Sequence, residues 1–114
     1  MMKEPVERVI QESVPGKQVT LSHLIASPIV DVYEAIGVDP YGAIGILTLS
    51  PYETAVIAAD IASKAADVTI GFLDRFTGSV VIQGDVQSVE ISLKEVNRIL
   101  EEQLGFTVEE MTKT

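Results

Sequence analysis

The stretch DVTIGFLDRFTGSVVIQGD, residues 67–85, decides the fold. Val68, Ile70 and Phe72 on one side and Val80, Val81 and Ile82 on the other are β-branched or aromatic, and the turn residues Asp74, Thr77 and Gly78 lie between them. That pattern predicts a hairpin of two buried strands. Its tip sets an acid and a base, Asp74 and Arg75, beside the aromatic Phe76, at a point where the chain must be accessible.

Outward from the hairpin, both flanks read as helix. On the C-terminal side Asp85 is a natural N-cap, and Val86, Val89, Leu93, Val96, Leu100 and Leu104 recur at helical spacing to form a buried stripe that Gly105 ends. Glu90/Lys94 and Arg98/Glu102 are i,i+4 pairs on its solvated side. FTVEEMTKT then reads as a short strand or tail. On the N-terminal side, Ser50-Pro51-Tyr52-Glu53 combines a capping serine, a first-turn proline and a glutamate three residues after the cap, which predicts a helix start there. The helix it opens carries alanines at 55, 58, 59, 62, 65 and 66, small enough for close packing on a sheet.

Before it, AIGILTL (43–49) has the apolar character of a central strand, with Gly45 marking a close approach. Ser27-Pro28 predicts the start of a short helix through Ile29, Val32, Tyr33 and Ile36 to Gly37. KQVTLSHLI (17–25) alternates, placing Val19, Leu21, His23 and Ile25 on one face of a half-buried strand. A lone histidine on such a face is most often a hydrogen-bonded core residue. Residues 1–16 form a leader ending at Val14-Pro15-Gly16, a turn signal.

The order strand, short helix, strand, helix, hairpin, helix, tail predicts an α/β (α+β) fold, an antiparallel sheet with flanking helices. From Ala43 to Gly105 it is a ferredoxin-like split β-α-β-β-α-β unit lacking its last strand. The strand at 17–25 can supply that strand from the other end of the chain, which makes a single circularly permuted domain, 17–114, behind the leader.

Composition narrows the function. The chain has 114 residues, no cysteine and one histidine, so a Cys/His zinc site and a thiol nucleophile are excluded and no metal or cofactor is expected. Seventeen acidic residues against eight basic ones, a formal charge of −9, argue against nucleic acid as partner, because phosphate neutralisation needs clustered Lys/Arg. MMKEPVERVIQE holds no apolar run of signal or anchor length, so the protein is read as cytosolic and without a membrane partner. A 46% hydrophobic fraction with mean hydropathy +0.30 points either to apolar surface buried against other subunits or simply to an alanine- and valine-rich core.

Four segments carry a family resemblance: VPGKQVTLSHLIASP, GAIGILTLSPYETAVIAADIASKAADV, IGFLDRFTGSVVIQGDVQSVE and the final MTKT. Together they resemble the circularly permuted bacterial microcompartment shell proteins of the ethanolamine- and propanediol-utilisation type, over nearly the whole chain. The resemblance implies a non-catalytic homohexamer that tiles with other shell proteins around encapsulated aldehyde-producing enzymes. It makes Asp74, Arg75, Phe76, Thr77 and Gly78 the lining of the six-fold axis or pore, on a hairpin shorter than the family's usual one. It makes Lys64 the contact at the hexamer edge. Those proteins place an arginine just after the strand matching 17–25, where this chain has Ser27, so the usual partner of Lys64 is altered. It also implies that the leader, with Val9, Ile10, Gln11 and Glu12, supplies one strand of a small axial barrel capping the pore.

Two other functions compete. Split β-α-β-β-α-β domains can sense small ligands between subunits, but no glycine-rich phosphate loop or basic cluster is present, and GAIG (42–45) is too weak to count. An enzyme ranks last, because Asp74, Glu53 and His23 fall on a loop, a capping box and a strand face that no spacing brings together. Six copies of Arg75 around an axis would repel unless paired, which predicts an Asp74–Arg75 arrangement within or between subunits.

Overall fold

A computed structural model describes residues 16–114. The leader residues Val9, Ile10, Gln11 and Glu12 lie outside the described residues. The elements are β1 (Gln18–Ile25), α1 (Val30–Ile36), β2 (Ala43–Ser50), α2 (Thr54–Ala65), β3 (Thr69–Asp74), β4 (Ser79–Gly84), α3 (Val86–Leu104), β5 (Thr107–Val108) and β6 (Thr112–Lys113).

Everything is built against β2. It pairs antiparallel with β4 on one side and β1 on the other, giving the order β3-β4-β2-β1-β5, with β6 also on β1. This is the expected split unit, with its last place filled by β1 from ahead of the first strand. Alternation along β2 explains its central position: Ala43, Leu47 and Leu49 enter the core under α2 and α3, while Ile44 turns to the opposite face and packs with Tyr33 of α1 and Val81 of β4. At Gly45, α3 packs close on β2. A Cβ there would lie 2.7 Å from Val89 Cγ1 and 2.9 Å from Ile82 Cγ1.

The two long helices share one face of the sheet. Ala55, Ala58, Ala59 and Ala62 of α2 are buried against Val89, Leu93, Val96 and Leu100 of α3, and the buried Ser92 hydroxyl donates to the Ala62 carbonyl at 2.9 Å. The buried stripe of α3 is shorter than its sequence period, for Leu104 is exposed and Val86 only partly covered. Asp85 caps α3 by accepting from Ser88 N–H at 2.9 Å, and Gly37 and Gly105 close α1 and α3 in the left-handed conformation, as expected. No helix among the described residues is long and apolar enough to cross a membrane.

Four local expectations change. The register of β1 against β2 slips between Val19 and Leu21, so Val19, Ser22 and Leu24 are buried on the helix side while Leu21 stays exposed. One extra residue in a strand inverts the facing of all that follow, and strict alternation cannot show it. Neither serine-proline start caps a helix: α1 begins at Val30 after Ile29, and α2 at Thr54, without a side-chain cap bond in either case. Residues 51–53 instead form a turn whose carbonyls receive the first helical amides, Thr54 N–H to Pro51 at 2.9 Å and Ala55 N–H to Tyr52 at 3.0 Å. β3 is an edge strand whose Ile70, Phe72 and Leu73 remain over two-fifths exposed in the single chain, because among the described residues nothing pairs with its outer side.

Gly45→Ala should therefore destabilise the fold by about 1–3 kcal/mol through overpacking against Val89 and Ile82. Urea denaturation at one fixed protomer concentration checks this; a cost near zero would mean that α3 does not press on β2 at this point.

Candidate functional site

The hairpin tip is a tight, internally bonded loop. Asp74 Oδ1 accepts the Phe76 N–H at 2.9 Å, and the Gly78 N–H donates to the Asp74 carbonyl at 2.9 Å. Gly78 has φ +78°, and a Cβ there would run into the Leu49 carbonyl, so only glycine fits this turn. Its own carbonyl accepts the Leu49 N–H at 2.8 Å, which ties the tip to the end of β2. The Phe76 amide, and after it the Thr77 hydroxyl, hold the Asp74 carboxyl below its ordinary range.

Arg75 takes a different partner. Its guanidinium carbon sits 4.9 Å from the centroid of the Phe76 ring, a cation–π arrangement, and the ring itself is 73% exposed. The expected Asp74–Arg75 pair is thus not formed within a subunit: Asp74 Oδ1 turns back to the Phe76 amide while the Arg75 guanidinium lies over the Phe76 ring. Tyr52 and Glu53 line one cleft with Arg75 and Phe76. Sequence spacing separated Glu53 from the tip, but the turn at 51–53 brings it alongside.

The other named residues lie elsewhere. Lys64, in the last turn of α2, is well exposed and bonds Asp60 one turn back at 2.9 Å. That partner is an i,i+4 pair legible in the sequence. His23 bridges two hydroxyls, Nδ1 to Thr112 Oγ1 at 2.6 Å and Nε2 to Thr114 Oγ1 at 2.8 Å, far from the hairpin. Among the described residues no group of three or more His, Cys, Asp or Glu side chains could hold a metal ion. The face opposite α2 and α3 carries an apolar groove formed by Ile25, Val32, Ile36, Ile46, Phe72 and Val81. Geometry thus offers an exposed arginine–aromatic tip and large uncovered apolar surfaces.

Comparison with known proteins places this architecture. A BMC domain model matches residues 43–112, from the start of β2 to the final strand, and leaves β1 and α1 ahead of the match, as a permuted chain would. The chain belongs to the BMC domain family. It is similar to the bacterial microcompartment shell protein CutR of Streptococcus intermedius, 58% identical over 96% of this chain and 94% of that protein. It is also similar to the shell protein PduU of Salmonella typhimurium, 54% identical over the full length of both. A structure of CutR solved as a flat hexamer, 58% identical, superposes with TM-score 0.86 over 95% of this chain and 100% of that one.

The bonds to Asp74 carry a pH signature. A carboxylate held below its ordinary pKa contributes its turn bonds above the unfolded value and loses them as pH falls through the depressed folded value. At neutral pH, Asp74→Ala should speed amide exchange at Phe76 relative to wild type, and the difference should close as pH falls below 3.8, the ordinary value for this side chain. Equal exchange in variant and wild type at neutral pH would show that the carboxylate does not order the tip.

Proposed function

We propose that this chain is a structural shell protein of a bacterial microcompartment, a cytosolic, non-catalytic subunit that assembles as a homohexamer and tiles with other shell proteins around encapsulated aldehyde-producing enzymes. The observation that carries the reading is the match in sequence and backbone over 95% of the chain to a protein solved as a flat hexamer. The chain's own surface supports it. Ile70, Phe72 and Leu73 on the bare β3 edge, with Val56 and Ile57 on α2, are all at least two-fifths exposed. An unpaired apolar edge in a soluble protein needs a neighbour.

Within the hexamer, Asp74, Arg75, Phe76, Thr77 and Gly78 line the six-fold axis. The internal bonding of the tip suits that place, since six loops meeting at one axis need a fixed shape. Stacking on Phe76 favours one direction for each Arg75 but leaves its charge in place, so the pairing that six converging cations need falls to Asp74 of a neighbouring subunit. Residues 1–16 form a separate leader whose Val9, Ile10, Gln11 and Glu12 supply a strand of an axial barrel over the pore. The small-ligand sensor considered from sequence draws no support from the comparisons.

Lys64 is the contact at the hexamer edge. With Ser27 where related shell proteins carry arginine, Asp60 is the charged group nearest Lys64, and the lysine must exchange this exposed partner, worth little in water, for a neighbouring hexamer. Lys64→Asp should leave single hexamers intact by size-exclusion chromatography with light scattering while abolishing extended sheets in electron micrographs. Sheets that form as readily as in wild type would remove Lys64 from the edge.

A further inference from the structure

The two edges of the sheet are finished differently. The β3 edge is bare among the described residues, whereas the outer edge of β1 is covered by the chain's own segment after α3. We propose that residues 106–114 are a self-supplied guard on that edge, and that without them β1 accepts the β3 edge of a second copy, joining sheets head to tail.

The guard's hold is short and mostly polar. It pairs with β1 in parallel at only two places, Gln18–Val19 with Thr107–Val108 and His23–Leu24 with Thr112–Lys113. Its backbone bonds satisfy outward groups of β1 and its flanks. Thr107 N–H donates to Lys17 O at 2.9 Å, Glu109 N–H to Val19 O at 3.0 Å, Thr114 N–H to Leu24 O at 2.9 Å, and Ala26 N–H to Thr114 O at 2.9 Å. Phe106 is buried and Val108 and Met111 are partly buried, while Thr107, Glu109, Glu110, Thr112, Lys113 and Thr114 are exposed.

His23 is the clasp. The Thr112 hydroxyl reaches Ser22 O at 3.4 Å, which leaves its oxygen to accept from Nδ1–H, and Nε2 then accepts the Thr114 hydroxyl. One ring on β1 thus fixes both ends of the Thr112–Thr114 run. Asn97 Nδ2 adds a bond to Glu109 O at 2.8 Å from α3.

A second copy fits the uncovered edge better than the guard does. β1 and β4 each run antiparallel to β2, and β3 runs antiparallel to β4. The β3 of a copy continuing the same sheet would therefore run antiparallel to β1, the more stable pairing, with six residues to offer against the guard's two short runs. Such a contact joins two different surfaces without closing on itself, so it propagates as an open chain. The guard prevents this and so leaves the β3 edge to the contacts of the closed hexamer.

Three variants test the proposal: His23→Ala, the double variant Thr112→Val/Thr114→Val, and the chain ended at Gly105. In the two clasp variants, amide exchange at Ala26, Glu109 and Thr114 should rise at least tenfold. In all three, light scattering and electron microscopy should show open chains longer than a hexamer. A synthetic peptide FTVEEMTKT, added in excess, should suppress them, and so should Ile70→Lys on the β3 edge. Unchanged exchange in both clasp variants would overturn the clasp. Open chains that persist with Ile70→Lys would overturn β3 as the occupant. A shortened chain that keeps its folded circular dichroism and forms no open chains would overturn the guard. If the shortened chain does not fold, faster exchange in the clasp variants without open chains overturns it equally.

Discussion

The sheet has two faces, and the chain carries enough helix to cover only one. α2 and α3 close over Ala43, Leu47, Leu49, Val80 and Ile82, and every buried alanine of α2 lies there. On the other face the seven-residue α1 buries little beyond Tyr33, Ile44 and Val81, and leaves an apolar groove open. Most of what is distinctive about the molecule follows from that imbalance. Its hydrophobic excess has no place within one subunit, β3 ends the sheet with apolar residues half in water, and burial in an oligomer resolves both. The flat hexamer solved for the similar CutR is one such burial.

The hairpin tip is held by its own bonds. A loop at a sheet end would ordinarily be mobile, but here the Asp74 carboxylate, the left-handed Gly78 and the bond from Leu49 to the Gly78 carbonyl hold it. The result is a rigid projection with an arginine lying on an aromatic ring. On the proposed reading, in which six tips meet at one axis, a rigid tip defines an aperture, whereas a mobile one would not. The acid and base that suggest catalysis in sequence serve the turn and the ring instead.

Much of this was legible in the residues. The Val89, Leu93, Val96, Leu100 period, Asp85 before it and Gly105 after it fixed α3 closely, because cap, stripe and stop are each local and agree with one another. The run AIGILTL revealed β2, and its glycine revealed the close approach of α3. The misreadings have equally local causes. An extra residue near Thr20 inverted the facing of β1, and nothing in KQVTLSHLI announces it. The serine-proline pairs before α1 and α2 look like caps but form turns, because neighbouring carbonyls take the first helical amides. The residue types of β3 suggest burial, but they cannot show that the strand ends the sheet, where its apolar side chains lack a neighbour in the single chain. The bridge from His23 to Thr112 and Thr114 spans about ninety positions, beyond any pattern that spacing alone reveals.

If this chain completes its surface with five copies of itself, native mass spectrometry of the purified full chain, taken at micromolar protomer concentration in volatile buffer, should show a dominant species of six 12.3 kDa chains. A dominant single chain that remains folded under the same conditions would contradict it, because the open groove and the bare β3 edge would then be stable in water without a partner.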